Sequence, residues 1–362
     1  MKLALLSKTI AADMNGYGRY TKAVANELKK IPDLEIKIFT RDKSGDYSFP
    51  TLIFKNNLLL VFWSFFYLKR LIKDCDSIHA LDGYPYGVMG IFAKLGTRKK
   101  LFISALGSYA VQPLFEFFSG MALRFAYKKA NTVFAASRFT KKKIEDLVPL
   151  NNITVVNMGV DINFTSCIDN GGLSDSLPEE YILSVGALKY RKGYHISIPA
   201  FAKTKKRFPE LHYVIVGSQE SINYHNRLKE LIRQYGLEDS VIFFSNVPDN
   251  SLSYIYQKAK LFLLTSVTGK GSFEGFGIVY LEAGLFGLSS IGSKDSGAED
   301  AISDNETGFL TNQNDIDDIA DKMLFLLSHD SARSRFGENA RRRAQKFSWK
   351  NIVDQYSKSY YK

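Results

Sequence analysis

Two glutamates eight residues apart, Glu274 and Glu282, stand in the segment SVTGKGSFEGFGIVYLE (266–282), which also carries Gly269, Gly271, Gly275 and Gly277. A β-type run, Lys260 to Leu264, leads into the segment, and an apolar helical pattern begins near Phe276. A strand that enters a glycine loop and opens a helix makes an anion site. Glycine lets the backbone come close to a ligand, and the first N–H groups of the helix have no partner within it. A phosphate-bearing ligand is implied. With the helix starting near Phe276, Glu274 falls on the entry loop and Glu282 about two turns in, so the two do not form an acid/base dyad. A carboxylate within the helix can accept hydrogen bonds from a ribose diol, and one on the loop can hold the hydroxyls of a sugar. The competing reading is plainer: a helix-start glutamate favoured by the dipole, and a second that is merely solvated.

Elements able to hold such a loop recur along the chain. In the first half, strand patterns are expected at Lys2 to Ser7, Glu35 to Thr40, Ser77 to Ala80, Leu101 to Ala105, Thr132 to Ala135 and Ile153 to Asn157, nearly all separated by helical patterns. A polar, glycine-bearing stretch, DNGGLSDSLPEE (169–180), then interrupts the rhythm as a linker. The alternation restarts with strands expected at Tyr181 to Val185, Leu211 to Val216, Val241 to Phe244, Lys260 to Leu264 and Ser289 to Gly292. Two doubly wound α/β domains in tandem, 1–168 and 181–346, account for this pattern. The last segment, about 347–362, carries Trp349, Ile352, Val353, Tyr356 and Tyr360 at helical spacing and is expected to pack back on the first domain.

The bulk composition agrees. A chain of 362 residues exceeds what one core usually organises, and 45% apolar residues exclude a disordered chain. The net charge of +11 lies wholly in the first half, where residues 1–165 hold 24 Lys and Arg against 13 Asp and Glu; the remainder holds 24 of each. Such asymmetry points to an anionic partner: a membrane surface, a phosphorylated lipid or nucleic acid. A solubilising surface is the plain alternative. Nucleic acid is not expected, because no helix-turn-helix or RNA-binding signature accompanies the charge. Cys75 and Cys167 make neither a disulfide framework nor a metal-ligand spacing, which suits a reducing compartment, and the short apolar run after Met1 is no secretory signal. A cytoplasmic protein is expected. The apolar stretch LLLVFWSFFYL (58–68), followed by Lys69, Arg70 and Lys73, is too short to span a bilayer; it reads equally as an interfacial helix or a buried one. Asp74-Cys75-Asp76 has a metal-binding D-x-D form but precedes a strand, whereas ligands of open α/β sheets bind beyond the carboxyl ends. No metal is expected.

The segment EGFGIVYLEAG, with the strand and Gly297 loop after it, closely resembles the E-x7-E element of retaining glycosyltransferases of family four. The resemblance runs along nearly the whole chain. Val185-Gly186 with Lys192-Gly193, Val216-Gly217, Thr307-Gly308-Phe309-Leu310, Asn15-Gly16-Tyr17-Gly18-Arg19-Tyr20 and Asn157-Met158-Gly159-Val160-Asp161 each match a short family motif, in the family's order. It implies the GT-B fold, two Rossmann-like doubly wound domains facing a central cleft. It also implies retention of anomeric configuration and a nucleoside-diphosphate-sugar donor as co-substrate, with no other cofactor. Donor contacts are implied for Gly186, Arg191, Lys192, Gly217, Val247, Glu274, Gly275, Phe276, Gly277, Ile278 and Glu282, with Glu274 and Lys192 closest to the chemistry. Gly16, Gly18, Arg19, His79, Gly107 and Ser108 are implied for the acceptor side; His79 reads as functional or as structural. In two places this chain departs from the family. Ala187 stands where an arginine usually follows the glycine, with Arg191 either substituting or facing solvent, and Leu106 stands where a histidine usually precedes Gly107.

The expectation is therefore transfer of a hexose-type sugar to a glycan or lipid-linked acceptor, in surface polysaccharide or glycolipid assembly, at an anionic membrane surface. A non-catalytic nucleotide-sugar-binding protein, or a GT-B epimerase or phosphorylase, is the alternative.

Overall fold

The computed structural model of the protein describes residues 1–11, 16–42, 44–48, 58–165 and 176–361, with the side chains of 48 and 58–63 outside the description. Cys167 and most of the 169–180 linker lie outside the described residues. The chain divides into two compact units, Met1–Met158 with Trp349–Lys362, and Gly159–Ser348.

The first unit is built on strands β1 (Lys2–Ser7), β2 (Glu35–Thr40), β3 (Tyr47–Ser48), β4 (Ser77–Ala80), β5 (Lys100–Ala105), β6 (Thr132–Ala135) and β7 (Ile153–Val155). They pair in parallel in the order β3-β2-β1-β4-β5-β6-β7. Helices cover a parallel sheet on both faces, and this is why Leu3, Leu5, Ile78, Leu101, Ile103 and Val133 are buried regardless of the alternation of side chains. β1 has β2 on one side and β4 on the other, so the strand order reverses beside it, with Leu3 opposite both Ile36 and Ser77. The two-residue β3, where Tyr47 stacks on Phe39 at 5.0 Å, is too short to show as a pattern in the sequence.

The second unit repeats the plan with β8 (Tyr181–Val185), β9 (His212–Val216), β10 (Val241–Phe244), β11 (Phe262–Leu263), β12 (Ser290–Ser293) and β13 (Gly308–Thr311), in the order β10-β9-β8-β11-β12-β13. Here the reversal falls between β8 and β11, with Leu183 opposite Phe262. Crevices at such reversals, beyond the carboxyl ends of the strands, are where open α/β sheets bind ligands. The loops after β8 and β11 are therefore the place to look for a site.

The boundary between the units lies after Met158, ten residues before the expected 168. The reason is local. The Val160 amide donates to the Phe347 carbonyl at 2.8 Å, and Phe164 packs edge-on against Tyr256 and Phe286, which draws residues from 159 onward into the second unit. The terminal helix, Trp349–Tyr360, belongs to the first unit and buries Ile352, Val353, Tyr356 and Tyr360 there. Its Tyr356 hydroxyl lies 3.1 Å from that of Tyr20 on the Gly16–Leu28 helix.

Asp74 and Asp76 sit at the amino end of β4. Asp74 pairs with Lys37, and Asp76 accepts from the Lys2 amide at 2.7 Å, so both tie the strand ends together. Among the described residues no helix is long and apolar enough to cross a membrane. Among the described side chains of the Leu58–Leu71 helix, Ser64 and Leu68 are buried and Phe66 and Tyr67 exposed.

Candidate active site

At the carboxyl end of β8 the chain enters a loop built by contact with its neighbours. The Gly186 amide donates to the Val216 carbonyl at 2.8 Å. A Cβ on Gly217 would stand 2.1 Å from the Gly186 oxygen, so only glycine admits this crossing. The loop turns through Tyr190–Lys192 and ends at Gly193, whose φ of 71 is left-handed; a Cβ there would meet the Thr265 oxygen at 1.8 Å. Thr265 Oγ1 donates to the Gly193 carbonyl at 3.0 Å, and the Val267 amide donates to that of Arg191 at 2.8 Å. The loops after β8 and β11 are thus stitched together across the reversal of strand order.

This stitching brings Lys192 and Glu274 together, each only 8% exposed. Lys192 Nζ donates to Glu274 Oε2 at 2.6 Å, Arg191 Nη1 donates to the same oxygen at 3.0 Å, and Ser266 Oγ reaches it at 3.4 Å. Burial would raise the Glu274 carboxyl, but the charges of Lys192 and Arg191 outweigh it and hold the group down at about 2. Burial also lowers the Lys192 ammonium, and Glu274 opposes that shift. At 2.6 Å the ionised pair is the state this geometry supports. Two cations meet one carboxylate, and the Glu282 carboxylate lies near enough to act on Lys192 as well.

Glu274 is held from its own backbone as well. Its carbonyl accepts from the Gly297 amide at 2.8 Å, and a Cβ on Gly297 would fall 2.3 Å from the Gly275 carbonyl carbon. Phe276 is buried against Phe347. Gly277 then turns left-handed, φ 82, as the cap of the Ile278–Leu285 helix. The helix starts two residues later than its apolar pattern suggests, because the left-handed residue delays the first turn. The backbone places Glu274 on the loop and Glu282 in the second turn of this helix, as their spacing requires. Glu282 is half-buried, and its Oε2 accepts from the Tyr256 hydroxyl at 3.0 Å. Tyr256, whose ring lies flat on Phe286, was not visible as a site residue, since its helix, Asp249–Lys258, carries no motif.

The remaining candidates are placed as follows. Arg191, left open between substituting for the missing cation at Ala187 and facing solvent, turns inward to Glu274 with 27% of its side chain exposed. Val247 is half-buried in the loop between β10 and the Asp249–Lys258 helix; the hydrogen bonds that gather Arg191, Lys192, Ser266 and Glu274 do not include it. In the first unit Gly16 opens its helix with open space around it, Gly18 is buried and Arg19 exposed. Asn15 lies outside the described residues. Gly107 adopts φ 55 before the four-residue Ser108–Val111 helix, and Ser108 and Leu106 are half-buried.

His79 requires correction as an acceptor-side residue. It is fully buried, with Nδ1 2.6 Å from the Tyr360 hydroxyl, Nε2 3.0 Å from Ser104 Oγ, and the rings of Phe134 and Tyr356 edge-on around it. Burial pushes the imidazole down to about 3, so it is neutral and works as a clamp between the sheet and the terminal helix. Three residues on stands Asp82, which the motifs did not single out. It lies just past the carboxyl end of β4, accepts from the Tyr84 amide at 2.9 Å, and is pushed up to about 7 by burial. This is the strand reversal of the first sheet, the position where ligands bind.

Comparison with known proteins gives the same picture. A model described as Glycosyltransferase Family 4 matches residues 14–164, and one described as Glycosyl transferases group 1 matches residues 174–343. The chain is 32% identical over 224 residues to a D-inositol 3-phosphate glycosyltransferase of Corynebacterium aurimucosum, covering 58% of this chain and 51% of that one. It thus spans 51% and 50% of the lengths of the first curated relatives it matches. Among solved structures, the HepE protein of Anabaena in complex with UDP and glucose superposes with a TM-score of 0.81 at 20% identity, over 99% of each chain. The lipopolysaccharide outer core galactosyltransferase WaaB, in its apo form, does so with a TM-score of 0.73 at 19% identity, over 100% of this chain and 99% of that one. The two family models follow one another in the order of the two units, and the structural neighbours extend from end to end: the chain belongs to the family-four glycosyltransferases of the GT-B fold.

Proposed function

We propose that the protein transfers a hexose-type sugar, with retention of anomeric configuration and without a metal, from a nucleoside-diphosphate sugar to a glycan or lipid-linked acceptor. The observation that carries this reading is the buried meeting of Lys192, Arg191 and Glu274 beside the helix start at Gly277. As the bond from the anomeric carbon to the donor phosphate breaks, its electron pair goes to the diphosphate. Lys192, Arg191 and the first N–H groups of the Ile278–Leu285 helix stabilise that charge by preorganised electrostatics. The acceptor oxygen forms the new bond to the anomeric carbon, and its proton passes to the departing diphosphate. A diphosphate drawn to the two cations frees Glu274 to hold the hydroxyls of the sugar. Glu282, aimed by Tyr256, holds the ribose. A UDP-sugar is the first donor to test, on the strength of the HepE complex with UDP and glucose. The WaaB neighbour, together with the basic first half, supports an acceptor of the surface polysaccharide or glycolipid class, met at the cytoplasmic face of a membrane.

Thermal unfolding with UDP-, GDP- and ADP-sugars tests the donor site, since a ligand that binds only the folded state raises the melting temperature with its concentration over Kd. One of these donors is expected to stabilise the wild type. Glu282→Ala is expected to weaken that donor by roughly 10- to 100-fold, the worth of a charge-assisted bidentate contact. Tyr256→Phe is expected to weaken it less, because it loosens Glu282 without removing it. If no donor shifts the transition, or Glu282→Ala responds like wild type, the assignment fails. With a donor in hand, the anomeric configuration of the product is read by NMR; an inverted linkage would refute the retaining route.

A further inference from the structure

The Phe117–Lys129 helix of the first unit turns Ser119, Gly120, Leu123, Ala126 and Tyr127 inward and buries them. Its outward face is Phe117, Phe118, Met121 and Phe125, with Phe117 72% and Phe118 80% exposed. At about 100° per residue these four fall within one stripe of the helix, and Arg124 and Lys128 fall in the same stripe. The helix buries Leu123 and Tyr127 and still leaves four large apolar side chains on its open face. The apolar surface continues beyond it. The ring of Phe125 lies 6.3 Å from that of Phe92, which stacks at 4.6 Å on Phe65 of the Leu58–Leu71 helix, next to the exposed Phe66. The half-buried Phe92 and Phe65 thus link the exposed face of the Phe117–Lys129 helix to the Leu58–Leu71 helix through ring contacts.

The charge around this surface is mostly positive, with Glu116 at the start of the helix, bonded to Ser119 Oγ at 2.8 Å, as the exception. The Phe117–Lys129 helix carries Arg124, Lys128 and Lys129 and neither Asp nor Glu, and Lys69 and Arg70 close the Leu58–Leu71 helix. All of the chain's excess positive charge resides in the half that bears this face. An aromatic stripe that ends in arginine and lysines matches an anionic lipid surface. The rings enter the acyl boundary, and the cations remain level with the headgroup phosphates. We propose that the face made by Phe117, Phe118, Met121 and Phe125, with Arg124 and Lys128, docks the protein on an anionic bilayer. The inference rests on the reading that the acceptor is presented at a membrane, but its test does not pass through sugar transfer.

The full chain is sedimented with vesicles of phosphatidylcholine alone and of phosphatidylcholine mixed with phosphatidylglycerol, at low and high salt. Binding is expected to the anionic vesicles and to fall with salt. Phe117→Ser with Phe118→Ser is expected to weaken binding by roughly tenfold or more, and Lys128→Gln with Lys129→Gln also by roughly tenfold. Donor-dependent thermal stabilisation, measured on the same variants, is expected to stay at the wild-type level and shows that they are folded. Phe118→Trp supplies a milder probe, whose emission is expected to shift blue on anionic vesicles and not on neutral ones. Equal binding to both vesicle types, or indifference to the phenylalanine pair, overturns the proposal. So does a self-associated protein that the phenylalanine substitutions turn monomeric, which would assign the face to a second copy of the chain. If vesicle binding is lost while donors still bind, docking fails and the donor site stands. If docking holds but transfer to a soluble glycan is no slower than transfer to a vesicle-borne acceptor, the membrane-presented acceptor fails instead.

Discussion

Glu274→Gln is expected to move catalysis and product binding in opposite directions. The carboxylate neutralises part of the charge of Lys192 and Arg191, from 2.6 and 3.0 Å. The amide keeps the shape and removes the charge, so both cations are left to a diphosphate. Affinity for the free nucleoside diphosphate is then expected to rise, while sugar transfer falls on the order of 10²- to 10³-fold for want of the group that fixes the sugar. Lys192→Ala is expected to lower both, with turnover again down about 10²- to 10³-fold, because the cation acts on charge that develops as the diphosphate leaves. Calorimetric binding of the nucleoside diphosphate, beside kcat on the same preparations, separates these outcomes. If Glu274→Gln weakens the diphosphate as Lys192→Ala does, Glu274 is no more than a structural counter-ion and the division of roles collapses. Glu274→Ala is the less informative change, since breaking a buried ion pair costs about 3–5 kcal/mol of fold stability.

Much of this site was legible in the residues because its chemistry demands glycine. Gly193, Gly217 and Gly297 each stand where a Cβ would fall 1.8, 2.1 and 2.3 Å from a neighbouring backbone atom, so their positions could not drift far along the chain. The spacing of Glu274 and Glu282 survives for the same reason, with the left-handed Gly277 between loop and helix. What was not legible depends on partners distant in sequence. Tyr256 reaches Glu282 only because two helices pack together. His79 stands on a strand in either reading, and only the fold shows Tyr360, 281 positions away, at its Nδ1. The strand Gly308–Thr311 was seen as a motif and not as a strand, for it is four residues long and begins with glycine. The apolar run at 58–68 drew attention to one helix, whereas among the described residues the most exposed rings belong to Phe117 and Phe118, in a segment whose composition reads like a core.

That buried histidine leads to a prediction about acid stability, read as a difference between two proteins. His79 is held at about 3 by burial, against 6.5 when exposed, so between these values the unfolded chain takes up a proton that the folded one refuses. Stability then rises with pH across that window, and acidification from above pH 6.5 to pH 5 costs about 2 kcal/mol through this residue alone. His195, held at about 4 by burial, acts in the same direction, and Glu274, held at about 2 against 4.5, joins it at lower pH. Asp82 acts in the opposite direction, since its carboxyl is pushed up to about 7 and the folded state keeps a proton that the unfolded one has shed. The pH profile of the wild type is therefore a poor witness, because these contributions overlap. His79→Asn removes one of them and leaves the others in place. At pH 7.5 the variant is expected to be less stable than wild type, having lost the packing of the ring. By pH 5 that deficit is expected to shrink by about 2 kcal/mol, because only the wild type still bears the histidine's cost. Denaturant unfolding of both proteins at the two pH values measures it. A deficit that stays constant would mean that the ring is protonated within the fold, and that Ser104 and Tyr360 hold an imidazolium after all.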